Sequence, residues 1–213
     1  MTLHKKLLIP LVPLLALTAV MASQANDTQA PLRLTVFLHN DIPVEKRHSI
    51  HQDYFAHWLE EIKKLTSRRV EITYLEDVRG ISDFQYANRP LKDIIKDLSW
   101  GVSRYFQEYG GIKGSFKTEK SLLLTYKQID RTTMGAAVDG GTVGLASMAA
   151  YSTAAHELGH MMKATHEQAE VLYRNGWWCE TYTFSTRLSL RANCYRYSDL
   201  NRQAISAYLS DAP

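Results

Sequence analysis

The chain has 213 residues, 45% of them hydrophobic and 22% charged, with a formal net charge of +3. That length allows one domain with a real core, or two small lobes. The charge is too small to ask for nucleic acid or an anionic membrane surface as partner.

The first 25 residues read as an export signal. His4, Lys5 and Lys6 form a positive start, Leu7–Val20 is an apolar run broken by Pro10 and Pro13, and Ser23 and Ala25 fit cleavage after Ala25. The run is short for a bilayer span. Its removal takes two lysines and no acid, leaving 23 basic and 22 acidic residues. The mature chain, residues 26–213, is expected to be secreted or periplasmic, without a membrane span, and monomeric. Its two cysteines, Cys179 and Cys194, are expected to form a disulfide in an oxidising compartment.

"LRLTVFLHND" (32–41) alternates and reads as a strand. Ile50, Tyr54, Phe55, Trp58, Leu59 and Ile62 recur at helical spacing and predict an amphipathic helix. "RVEITYLEDV" reads as a second strand. A helix follows Pro90 and ends at Gly110-Gly111. "SLLLTYKQI" is a third strand, and "TTMGAAVDGGTVGLAS" reads as strands either side of the Gly140-Gly141 turn, or as one irregular edge strand. "MAAYSTAAHELGHMMKATHE" predicts a third helix. The segment after it is loop-rich, and "SDLNRQAISAYLSD" closes the chain as a helix capped by Ser198 or Asp199. Alternating strands and helices predict an α+β fold: a mixed sheet with helices in an N-terminal lobe of about 31–162, then an irregular C-terminal lobe of about 163–213 ending in a helix.

The chemistry concentrates in "HELGHMMKATH". Four-residue spacing puts His156 and His160 on one helix face, able to share one ion. Glu157, beside the first, is placed to take a proton from a water that zinc acidifies. Gly159 is costly inside a helix and points to a close approach by another group. A catalytic zinc takes three protein ligands, and His166 is the leading third. In an unbroken helix His166 would lie about 240° round from His160. The chain must therefore leave helical geometry at Lys163 or Ala164, with a residue at positive φ that costs about 1 kcal/mol or more for lysine. Trp177, Trp178 and Tyr182 are expected mainly in core packing, or else lining a pocket.

At this point the sequence resembles the metzincin zinc metallopeptidases, whose pattern is HExxHxxGxxH. Every element is present except the glycine, where Lys163 stands. The order of strands and helices from Leu32 to Met162 is similar to that family's N-terminal lobe. "NCYRYSDLNRQAISAYL" resembles its later turn and closing helix, with Tyr195 in place of the methionine beneath the metal. The resemblance implies Zn2+ held by His156, His160 and His166, with Glu157 as general base. It implies Tyr197 at the metal or the oxyanion, although that turn residue is equally expected simply to pack. It also implies an extended protein or peptide substrate along "GAAVDGGTVGLAS", which makes the chain a metalloendopeptidase. Other readings remain open: Glu180, twenty residues after His160 on a following helix, as third ligand; an exported zinc-binding protein without peptidase activity; or a metal-free adhesin or envelope protein.

Overall fold

The computed structural model describes residues 29–111, 114–186, 188 and 190–212. The proposed export signal lies outside the described residues.

Five strands form the main sheet in the order β2-β1-β3-β5-β4. Three run parallel beside β2: β1 (Leu32–Leu38), β3 (Glu119–Thr125) and β5 (Val143–Ser147). β2 spans Val70–Leu75 and is itself parallel to β1. The short β4 (Gly135–Ala137) runs antiparallel to β5 and forms one edge. The strands therefore stand on either side of the Gly140 turn, whose φ is +68°.

Alternation along each strand sorts side chains to opposite faces. Leu32, Leu34, Val36, Leu38, Leu122 and Leu124 enter one core. Phe37, Leu123 and Leu145 enter another, with Ile94, Leu98 and Val102 of α3 (Leu91–Tyr109). Pro90 precedes α3, and Gly110 at φ +139° ends it.

The first core is covered by the long helical segment, by α4 (Thr153–His160) and by α5 (Asp199–Ser210). The expected amphipathic helix is not continuous. It comprises α1 (Val44–Arg47), a π-helical turn (His51–Phe55) and α2 (Ala56–Ile62). Phe55, Trp58 and Ile62 still share the buried side, as their spacing requires. The Ser198 hydroxyl accepts the Asn201 N–H at 3.3 Å and caps α5.

The C-terminal segment has more regular structure than its sequence shows. β6 (Val171–Arg174) and β7 (Trp177–Glu180) form a hairpin around Asn175 and Gly176, and β8 (Ala192–Asn193) pairs with β7. The Cys179–Cys194 disulfide joins β7 to the residue after β8, in keeping with an oxidising environment. Among the described residues, no helix is long and apolar enough to cross a membrane. The described architecture is the mixed sheet with packed helices and a closing helix that the sequence predicts, with a small three-stranded sheet in the C-terminal segment.

Candidate metal centre

α4 begins soon after β5 and packs against β5 and β4. Ala154, Ala155 and Leu158 are buried on the sheet side. The helix is shorter than the sequence predicts. It stops at His160, and Lys163 takes φ +74°. This is the positive-φ residue that bringing His166 back toward His160 demands. Two links hold the bend to the β4–β5 turn: Gly140 donates its N–H to the His160 carbonyl at 2.8 Å, and Lys163 Nζ lies 2.7 Å from Asp139 Oδ2. The lysine stem packs over Gly140, where a Cβ would come within 2.8 Å of Lys163 Cε.

The bend brings the three histidines together. His156 Nε2 lies 2.9 Å from His166 Nε2 and 3.0 Å from His160 Nε2, and His160 and His166 are also 3.0 Å apart. Among the described residues this is the only cluster of three potential metal ligands. Its chemistry favours a cation. His156 Nδ1 is 2.8 Å from the Tyr182 carbonyl, and His160 Nδ1 is 2.8 Å from the Ala164 carbonyl. A carbonyl only accepts, so both Nδ1 atoms carry the proton and both Nε2 atoms are bare lone pairs. Burial, then the neighbouring histidines, push the His156 pKa down to about 3, and burial lowers that of His160. Neutral rings with converging lone pairs suit a metal. Tetrahedral zinc at its usual bond length would set such nitrogens about 3.3 Å apart, close to the spacing found.

Asn201, on α5, holds the third arm. Its Oδ1 accepts the Thr165 N–H at 2.8 Å. Its Nδ2 donates to the Thr165 carbonyl at 3.0 Å and to Thr183 Oγ1 at 2.8 Å. Sequence reasoning missed this residue, which lies outside the motif. An asparagine in a capped helix carries no local mark of a partner 36 residues away.

Glu157 is 6% exposed, and burial pushes its carboxyl up to about 8. It lies against β4: a Cβ on Gly135 would come within 2.5 Å of Glu157 Oε1 and 2.8 Å of its Cδ.

Tyr197 is fully buried, and its hydroxyl donates to the Ala155 carbonyl at 2.6 Å. Its ring underlies α4: a Cβ on Gly159 would meet Tyr197 Cε1 at 2.7 Å. That explains the helix glycine and gives Tyr197 a supporting position, with its hydroxyl committed. Tyr195, at φ +52°, is instead exposed and stacks on His57 with ring centroids 4.1 Å apart.

Glu180 is not grouped with the histidines. It sits on β7, not on a helix, and its buried Oε1 accepts the Leu188 N–H at 3.1 Å and faces Arg191 Nη1 at 3.4 Å. Tyr182 is buried, but Trp177 and Trp178 are exposed, against the expectation of core packing. A recess of about 730 Å³, between residues 77–80 and α3, contains none of the histidines.

No family profile matches the chain, and no curated protein matches it. Among solved structures, the chain is similar to a zinc-dependent peptidase from Methanocorpusculum labreanum (strain Z). The two are 16% identical with a TM-score of 0.47, over 81% of this chain and 99% of that one. So remote a likeness assigns no activity, and the function must be read from the side chains.

Proposed function

We propose that the chain is an exported zinc-dependent metalloendopeptidase of metzincin type. The observation that carries this is the convergence of three imidazole Nε2 atoms, two with their Nδ1 protons committed to backbone carbonyls, beside a buried glutamate. His156, His160 and His166 would hold the metal. Zinc, when bound, supplies a Lewis acid that lowers the pKa of water and polarises a carbonyl, and its charge favours the ionised form of Glu157.

The chain's own groups do the rest. Glu157 takes the proton of the attacking water and passes it to the leaving amine nitrogen. Gly135 leaves room for that carboxylate against β4. An extended peptide adds to β4 through main-chain hydrogen bonds, since among the described residues β4 pairs only with β5. Tyr182 and Ala164 hold their histidines through main-chain carbonyls, and Asn201 fixes the backbone before His166. Tyr197 supports α4 from below and does not act on substrate.

The test measures zinc content and cleavage of a peptide library together. One zinc per chain is expected, with cuts that disappear in Glu157→Gln and under chelation while the variant keeps its zinc. Stoichiometric zinc without cuts would favour a binding protein. A folded chain that takes up no zinc would sink the reading.

A further inference from the structure

The β6–β7 hairpin exposes aromatic side chains on both its faces. Tyr173 is 62% exposed, Trp177 70% and Trp178 55%, and Leu190, two residues before β8, is 88% exposed. Trp177 and Trp178 are consecutive in a strand, so they point to opposite sides. Tyr173 packs against Trp178 in a tilted arrangement with ring centroids 5.1 Å apart. Neither tryptophan belongs to either core. The base of the hairpin is fixed by β8 and by the Cys179–Cys194 disulfide. The feature is a braced projection with an apolar tip.

Its surroundings are basic. A recess of about 260 Å³ beside the hairpin is lined by Lys64, Arg174, Arg196 and Arg202, with Glu61 as the one carboxylate in the lining. Glu61 pairs with Arg202 at 3.0 Å, and Asp199 pairs with Arg196. Lys64 and Arg174 have no acidic partner among the described residues. From Val171 to Ser198 the sequence has four arginines and one acid, Glu180, which is buried. The near-neutral net charge of the chain hides this local excess.

We propose that this hairpin docks the protein onto an anionic lipid surface. Tyrosine and tryptophan rings suit the boundary between headgroups and acyl chains, and the cations beside them attract anionic headgroups. Aromatic side chains on both faces of a thin hairpin suit insertion into a surface that surrounds it, more than contact with one flat partner. Only Cys179 and Glu180 of the hairpin pair with β8, so the edges of the tip need water. Insertion stops at the headgroup level, about 5–10 Å deep. The inference is independent of the metal centre.

The test is co-sedimentation of the exported chain with vesicles of phosphatidylcholine, alone or mixed with phosphatidylglycerol, with tryptophan emission recorded in parallel. Binding and a blue shift are expected only with the mixed vesicles. Arg174→Ala should weaken binding about fivefold. The double variant Trp177→Ser, Trp178→Ser should weaken it by at least about tenfold and remove the blue shift, with unchanged circular dichroism. Glu157→Gln should bind like wild type, so failure of the peptidase reading leaves this result intact. Three outcomes would overturn the proposal. One is no binding to mixed vesicles. Another is binding that both variants retain, which would place the contact elsewhere on the exported chain. The third is a concentration-dependent dimer that the tryptophan variant dissolves, which would make a second copy the occupant.

Discussion

The Asn201 carboxamide grips both the N–H and the carbonyl of Thr165, the residue immediately before His166. Asn201 is fully buried, so its removal strands polar backbone groups away from water. Asn201→Ala should cost about 2 kcal/mol or more of stability. It should also weaken zinc affinity by about tenfold or more, the usual scale for losing a residue that orients a ligand. Denaturant unfolding of zinc-free protein and competition with a chromophoric chelator measure the two separately.

Gly135→Ala should separate metal binding from chemistry. The new methyl would overlap the Glu157 carboxylate and displace it, while the three histidines keep their positions. A displacement of about 1 Å at a catalytic group costs on the order of 100-fold in rate. The expected result is unchanged zinc content with kcat/KM reduced by about that factor. Loss of zinc instead would mean that Gly135 supports the histidines.

Lys163→Gly tests how the bend is sustained. Glycine removes a left-handed strain of about 1 kcal/mol. It also adds about 0.4–1 kcal/mol of unfolded-state entropy. The exposed pair with Asp139 is worth about 0–1 kcal/mol. These effects nearly cancel, so the unfolding midpoint should barely move and zinc should be retained. Lys163→Val, with a branched side chain at φ +74°, should be clearly destabilising.

Reducing the Cys179–Cys194 bond, or replacing both cysteines with alanine, should cost about 3 kcal/mol for this loop length. Thermal unfolding with and without reductant reads the difference directly. Buried Tyr182 and Tyr197 tie the lobe to α4, so the metal centre should outlast the hairpin.

Asp41 sets an acid limit. Burial raises its pKa, but bonds from His39, the Tyr126 N–H, Tyr86 and the Lys127 N–H outweigh this and hold the carboxyl well below its ordinary 3.8. The resulting stabilisation is complete above that value and drains away as pH falls beneath it. Asp41→Asn should lower stability at neutral pH and flatten the acid limb of the stability curve. An unchanged acid limb would assign the transition to other carboxylates.

Much of the fold was legible because its signals are local. The alternation of Leu32–Leu38 fixes which side chains face each core, and Pro90 and Gly110 bracket α3 as their backbone preferences require. A bend at Lys163 or Ala164 was legible for a different reason: an unbroken helix would carry His166 away from His160. The β6–β7 hairpin was less visible. Its tip is exposed on both faces, so it lacks the apolar–polar alternation that marks a half-buried strand. Likewise, the π-helical turn at His51–Phe55 keeps the same apolar residues buried as a plain helix would. For Tyr197 the sequence leaves packing and a place at the metal equally open, because spacing alone cannot reveal that its hydroxyl meets the Ala155 carbonyl.

The Nδ1 partners of His156 and His160 are both main-chain carbonyls, of Tyr182 and Ala164. No side-chain substitution deletes a carbonyl, so a conventional alanine scan would pass over the groups that select the tautomer of two proposed ligands. Nor can a carbonyl become ionised across the working pH range, as a carboxylate partner would. The electronic character of the two imidazoles is thus a property of backbone path. It would survive extensive change in residue identity and fail only when the path itself moves.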